Sequence, residues 1–234
     1  MSYRCVATSR AGFIQQLAVG YISNGYHFYV AGVIPSKKSP ERVDAKILAA
    51  YDIAVSRWTR ARRKRAGQAN VQYLRHGRFY VIIATDGVHP FFAAEAKCVR
   101  DVRKTPILFM GYSISCRRER GGGEYHASVR INRDTMRELK RKLVGNATKA
   151  DFGSLYRTFQ TLPFEPYAPV RIQLLVLLKA VNRARAVAGL ELLPKTALRL
   201  RRSPVRPFEA EKIETSDVLF SASKAITPDE QTNF

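Results

Sequence analysis

An excess of positive charge constrains this chain more than any other feature. It carries 40 lysine and arginine side chains against 19 carboxylates, a formal net charge of +21 over 234 residues. A fold that gathers so many like charges must tolerate their repulsion or meet a polyanion. The excess is uneven. Residues 208–234 hold Lys212 and Lys224 against Glu209, Glu211, Glu214, Asp217, Asp229 and Glu230, so the surplus lies wholly within residues 1–207. A basic body with a short acidic tail points first to nucleic acid, RNA or single-stranded DNA, as the partner.

Hydrophobic residues make up 46% of the chain, enough for a true core. Cys5, Cys98 and Cys116 are far apart and form no C-x-x-C pair, which favours a reducing cytoplasm and no disulfide framework. His27, His76, His89 and His126 are equally scattered; no H-E-x-x-H or H-x-H motif occurs, so neither a resident metal nor a cofactor is indicated. Apolar runs such as residues 174–178 are too short to cross a bilayer.

Periodicity predicts the order β-α-β-α-β-α-β-β-α. Ser9, Ser39, Ser56 and Asn132 are placed to cap helices, with Pro40 at a first helical position. The expected strands cover residues 3–8, 27–34, 70–74, 78–85, 107–116 and 125–131, the third and fourth forming either a hairpin around His76-Gly77 or one long bent strand. Val43, Ile47 and Tyr51 are expected as a buried stripe, and residues 91–103 as a helix with Phe92, Ala96 and Val99 on one side. The fold class is therefore α+β, with a mixed or antiparallel sheet of about five strands covered by helices, and a ferredoxin- or RRM-like layer within reach. Residues 1–162 are expected as the basic domain. Residues 163–207 follow as a Pro-rich linker, a helix and an extended basic arm packed on the same domain, and residues 208–234 as a flexible acidic tail.

Four arginine-rich segments are the candidate phosphate contacts. Arg57, Arg60, Arg62, Arg63, Lys64 and Arg65 crowd one helix, R-W-T-R-A-R-R-K-R, with Trp58 as its expected anchor. Arg117, Arg118 and Arg120 sit at a hairpin tip beside Gly121, Gly122 and Gly123. Arg130, Arg133, Arg137 and Arg141 form a cationic helix face opposite Met136, Leu139 and Leu143. Arg199, Arg201, Arg202 and Arg206 lie on the extended arm.

Residues 77–83, G-R-F-Y-V-I-I, resemble the central strand motif of RNA-recognition domains, with Arg78 where that family has an aromatic residue. The resemblance implies an open sheet face on which Tyr80 stacks on bases. Residues 107–112, I-L-F-M-G-Y, with the basic helix after them, resemble the end of the palm in group II intron reverse transcriptases over about 40 residues. The paired catalytic aspartates of that family are missing from residues 73–85, so no polymerase is expected. His126 beside the glycines resembles the Gly-rich loop and histidine of CRISPR-repeat endoribonucleases, although there the loop lies nearer the C-terminus.

For chemistry, the strongest grouping is Asp86, His89 and Glu95, with Asp101 further along the same expected helix. His89 is the candidate general base or metal ligand of a nuclease, with Mg²⁺ or Mn²⁺ required only in that case. The readings are thus an accessory of a mobile-element, replication or RNA-processing system that clamps a phosphate backbone, a nuclease at His89, or a structural component of a ribonucleoprotein.

Overall fold

The computed structural model describes residues 3–118 and 122–209. The expected acidic tail, Arg120 and Gly121 therefore lie almost wholly outside the described residues. Within them the chain is α+β, with seven α-helices and two antiparallel sheets. The single sheet of about five strands is thereby corrected to one of four strands and one of three.

The first sheet has the order β2-β3-β1-β4, built from β1 (Tyr26–Val33), β2 (Val71–His76), β3 (Phe79–Thr85) and the two-residue β4 (Arg100–Asp101). β2 and β3 form a tight hairpin that pairs His76 with Phe79, and Gly77 at its turn has φ +56°. The segment expected as a first strand contributes only a parallel bridge, Val6 beside Arg75 on β2. Alternate residues of this sheet enter two separate cores. Leu74, Val81 and Ile83 face one; Tyr73, Ile82 and Ala84 face the other. Both faces are covered, so the RRM-like layer with an open aromatic face is not formed.

The first core is closed by α1 (Arg10–Gln15), which continues through a π-helical turn to Tyr21. Its Ser9 cap accepts a hydrogen bond from Gly12 N at 3.0 Å. On the second core lie α2 (Pro40–Ala50), capped by Ser39, and the short α4 (Pro90–Ala94). α3 (Arg57–Arg65), capped by Ser56, lies between α2 and β2 in the chain and buries no residue. On α2 the expected stripe of Val43, Ile47 and Tyr51 is only half-buried; the fully buried position is Asp44. The expected helix over residues 91–103 stops at Ala94, where Glu95 ends it, and the chain then joins the edge of β1 as β4.

The expected strand over residues 107–116 is two strands, β5 (Ile107–Phe109) and β6 (Tyr112–Arg118), turned at Met110-Gly111. With β7 (Tyr125–Ile131) they make the second sheet, in the order β5-β6-β7. α5 (Arg133–Asn146), α6 (Phe152–Gln160) and α7 (Ala168–Val187) follow; α6 is an addition to the expected elements. Phe164, Val170 and Leu174 share one core with Phe13 and Tyr112. Gln173 on α7 completes the β7 edge, since its side-chain amide both donates to Ile131 O and accepts from Ile131 N at 2.9 Å.

Candidate nucleic-acid interface

On α3 the cationic side chains divide by helix face. Arg60 donates to Val55 O at 2.6 Å, and Arg63 bonds both the carboxylate and the carbonyl of Asp52, tying the helix to the loop before it. Asn70 adds a bond to Arg60 O at 3.0 Å. Arg57, Arg62, Lys64 and Arg65 remain exposed. Trp58 is no anchor: it is 82% exposed, because the inward face of this helix is held by Thr59, Arg60 and Arg63.

The β6–β7 ladder brings together arginines that the sequence placed in separate clusters. Arg117 pairs with His126, Ser115 with Ser128 and Ser113 with Arg130. Directly opposed residues on alternate positions share one face. That face therefore runs from Arg117 and His126, across two buried serines, to Arg130. Arg130 leads through Asn132, whose side chain accepts from Thr135 N at 2.8 Å, into α5. Arg133, Arg137 and Arg141 are exposed there, and Met136, Leu139 and Leu143 pack inward. Arg137 pairs with Asp134 at 3.3 Å and Lys142 with Glu138 at 2.8 Å.

Arg118 and Tyr125 occupy the other face of the same ladder and overhang the start of β1. The Tyr125 ring, 46% exposed, has the Arg118 guanidinium at 5.4 Å, that of Arg103 at 5.8 Å and the His27 ring at 6.1 Å. A cavity of about 620 Å³ opens here, lined among others by Arg103, Lys104, Ser115, Arg117, Arg118 and Tyr125. Among the described residues its one carboxylate, Asp101, is gripped by Arg103 through Nε at 2.9 Å and Nη2 at 2.8 Å. Burial pushes the Asp101 pKa up, but the Arg103 hydrogen bonds outweigh it and hold the carboxyl below its usual range. Burial and then Arg103 push the His27 pKa down, so its ring is neutral at pH 7. Sequence reasoning missed Arg103, Lys104, Tyr125 and His27; the Arg103-Lys104 pair was the only local signal, and its neighbours arrive from three other strands.

Other expected contacts are engaged by the protein itself. Arg78 donates to the carbonyls of Ile34, Pro35, Ser36 and Lys38 at 2.6–3.2 Å and clamps that loop. Tyr80 is half-buried against the second core, its hydroxyl against Gly32 on β1. The basic arm folds back along α1: Gln15 exchanges two hydrogen bonds with the Val205 backbone, and Thr8 N donates to Pro207 O at 3.0 Å. A Cβ on Gly12 would lie 2.9 Å from Pro207 Cα, so the approach requires glycine. Arg202 stacks on Tyr167 at 4.6 Å and Arg206 pairs with Glu209, while Arg199 and Arg201 are exposed.

The proposed nuclease residues are each held locally. His89 Nδ1 accepts from Phe91 N at 3.1 Å as the cap of α4, Glu95 accepts from Tyr51 OH at 2.5 Å, and Asp86 accepts from Gly87 N at 3.0 Å. Asp101 lies on β4 and not on the helix that carries His89. No group of three or more His, Cys, Asp or Glu side chains suited to a metal occurs among the described residues. No described helix is long and apolar enough to cross a membrane. Compared with protein-family models, curated proteins and solved structures, the chain matches none.

Proposed function

We propose that this chain binds nucleic acid, holding the phosphate backbone of RNA or single-stranded DNA. The observation that carries the reading is the β6–β7–α5 unit. It lines up Arg117, His126 and Arg130 on one face, continues into the exposed Arg133 and Arg141, and borders a cavity where, among the described residues, Lys104, Arg117 and Arg118 outnumber one already paired carboxylate. Guanidinium groups suit phosphate because they donate two parallel hydrogen bonds and keep their charge. Each phosphate they neutralise releases condensed counterions, which supplies affinity without reading sequence.

The test is a binding titration with a labelled single strand of about 16 nucleotides, near the upper end of ordinary site sizes. Arg117→Ala with Arg130→Ala should weaken binding and reduce the slope of log affinity against log salt by about 2, roughly one for each phosphate no longer neutralised. An unchanged affinity and slope in a folded double variant would contradict the reading.

A further inference from the structure

Trp58 is the single tryptophan of the chain and stands 82% exposed on its most basic helix. Tryptophan is ordinarily among the most buried side chains on average. Here the helix turns it outward. At 3.6 residues per turn, Trp58, Arg62 and Arg65 fall on one side of α3, and Arg60 and Arg63, which bind the Val55 and Asp52 segment, fall on the other. The outward side is an indole flanked by guanidiniums, and α3 has no carboxylate along its length.

We propose that Trp58 is a stacking platform for an unpaired base of a single-stranded nucleic acid, with Arg62 and Arg65 holding the phosphates beside that base. The inference rests on the nucleic-acid reading above and adds its substrate class. A strand with free bases offers π-faces that stack on an aromatic ring, whereas a duplex offers only base edges in its grooves. The aromatics of the four-stranded sheet are buried or half-buried, whereas Trp58 is open to solvent. An anionic membrane would share the charge complementarity, but a helix that lies in a bilayer surface needs an apolar face. α3 has only Trp58 and Ala61 as apolar residues.

Because no other tryptophan contributes, emission excited to the red of tyrosine absorption reports on this residue alone. Wild-type protein is titrated with an oligouridylate single strand, a duplex of equal length, heparin and phosphatidylserine vesicles, with binding followed independently by anisotropy of labelled strands. The single strand should quench Trp58 emission in step with binding, while heparin binds without comparable quenching. Trp58→Ala should weaken single-strand binding by about 5- to 150-fold, the range of one base–aromatic stack. Trp58→Phe should weaken it less, and in both the salt slope should stay unchanged, since no charge is removed. Strand binding that is equally tight in Trp58→Ala, with the wild-type Trp58 emission unaltered by the strand, would overturn the stacking role while leaving the nucleic-acid reading intact. Failure of every strand to bind would overturn both, and a blue shift confined to vesicles would assign the surface to lipid instead.

Discussion

Arg75 grips Asp44 in a two-point ion pair, Nε to Oδ1 at 2.9 Å and Nη2 to Oδ2 at 2.8 Å, with both residues only 6% exposed. Tyr73 OH donates to the same carboxylate at 2.6 Å, and the remaining Arg75 amine donates to Gly77 O at 2.6 Å. The network fixes α2 across the β2–β3 hairpin. It also shows that the arginines of this chain fall into two populations. Arg75, Arg78 and Arg185 are bound to the protein's own carboxylates or carbonyls, whereas Arg62, Arg65, Arg117, Arg130 and Arg133 reach solvent.

Asp44→Ala should cost about 3–5 kcal/mol, because it strands the Arg75 guanidinium in a buried site without its counter-charge. Tyr73→Phe removes one hydrogen bond to an ionised acceptor and should cost about 1.5–3 kcal/mol, less than Asp44→Ala because Arg75 still satisfies the carboxylate. Urea unfolding checks both. Equal stability of Asp44→Ala and wild type would show that the network does not hold the two elements together.

The two arginine populations should separate by assay. Replacing Arg57, Arg62, Lys64 and Arg65 together with alanine should weaken strand binding by about tenfold or more at low salt and leave the melting temperature nearly unchanged, since none of the four is buried. Arg78→Ala should do the reverse, destabilising by about 1–3 kcal/mol through four loop carbonyls that lose their donor. Thermal melts beside binding titrations distinguish the outcomes.

Much of the fold follows from short-range chemistry. Ser9, Ser39, Ser56 and Asn132 cap helices as their positions require, and β7 spans the expected residues. What local sequence could not convey was set by tertiary contact. Asp44 reads as a polar helix position until Arg75 arrives from another strand, and Tyr80 packs half-buried against the second core. The Met110-Gly111 turn splits one apolar run into two strands with Met110 at φ +42°, a conformation its side chain does not advertise. For the candidate site, arginine clustering marked α3 and α5, but the cavity around Tyr125 exists only because β1, β4, β6 and β7 converge.

His89 gives the chain a pH-dependent helix cap. Burial, and then the charge of Arg63, push its pKa down from the ordinary value, and Nδ1 must be unprotonated to accept from Phe91 N. The folded-state pKa lies below the unfolded one of about 6.5, so the stabilisation is complete above that pH and is lost as pH falls through the folded value. Melting temperature should therefore drop as pH falls below about 6.5. His89→Asn supplies a cap that does not titrate in this range and should reduce that drop. The same pH dependence in wild type and variant would remove the cap as its source.

The most direct test of phosphate-backbone binding is the affinity for a labelled single strand across a salt series. Engagement of about 6–10 phosphates predicts a loss of roughly a thousandfold or more between about 50 and 200 mM salt, linear on logarithmic axes. An affinity that hardly moves over that range would contradict the account, because the surplus of +21 would then play no part in binding.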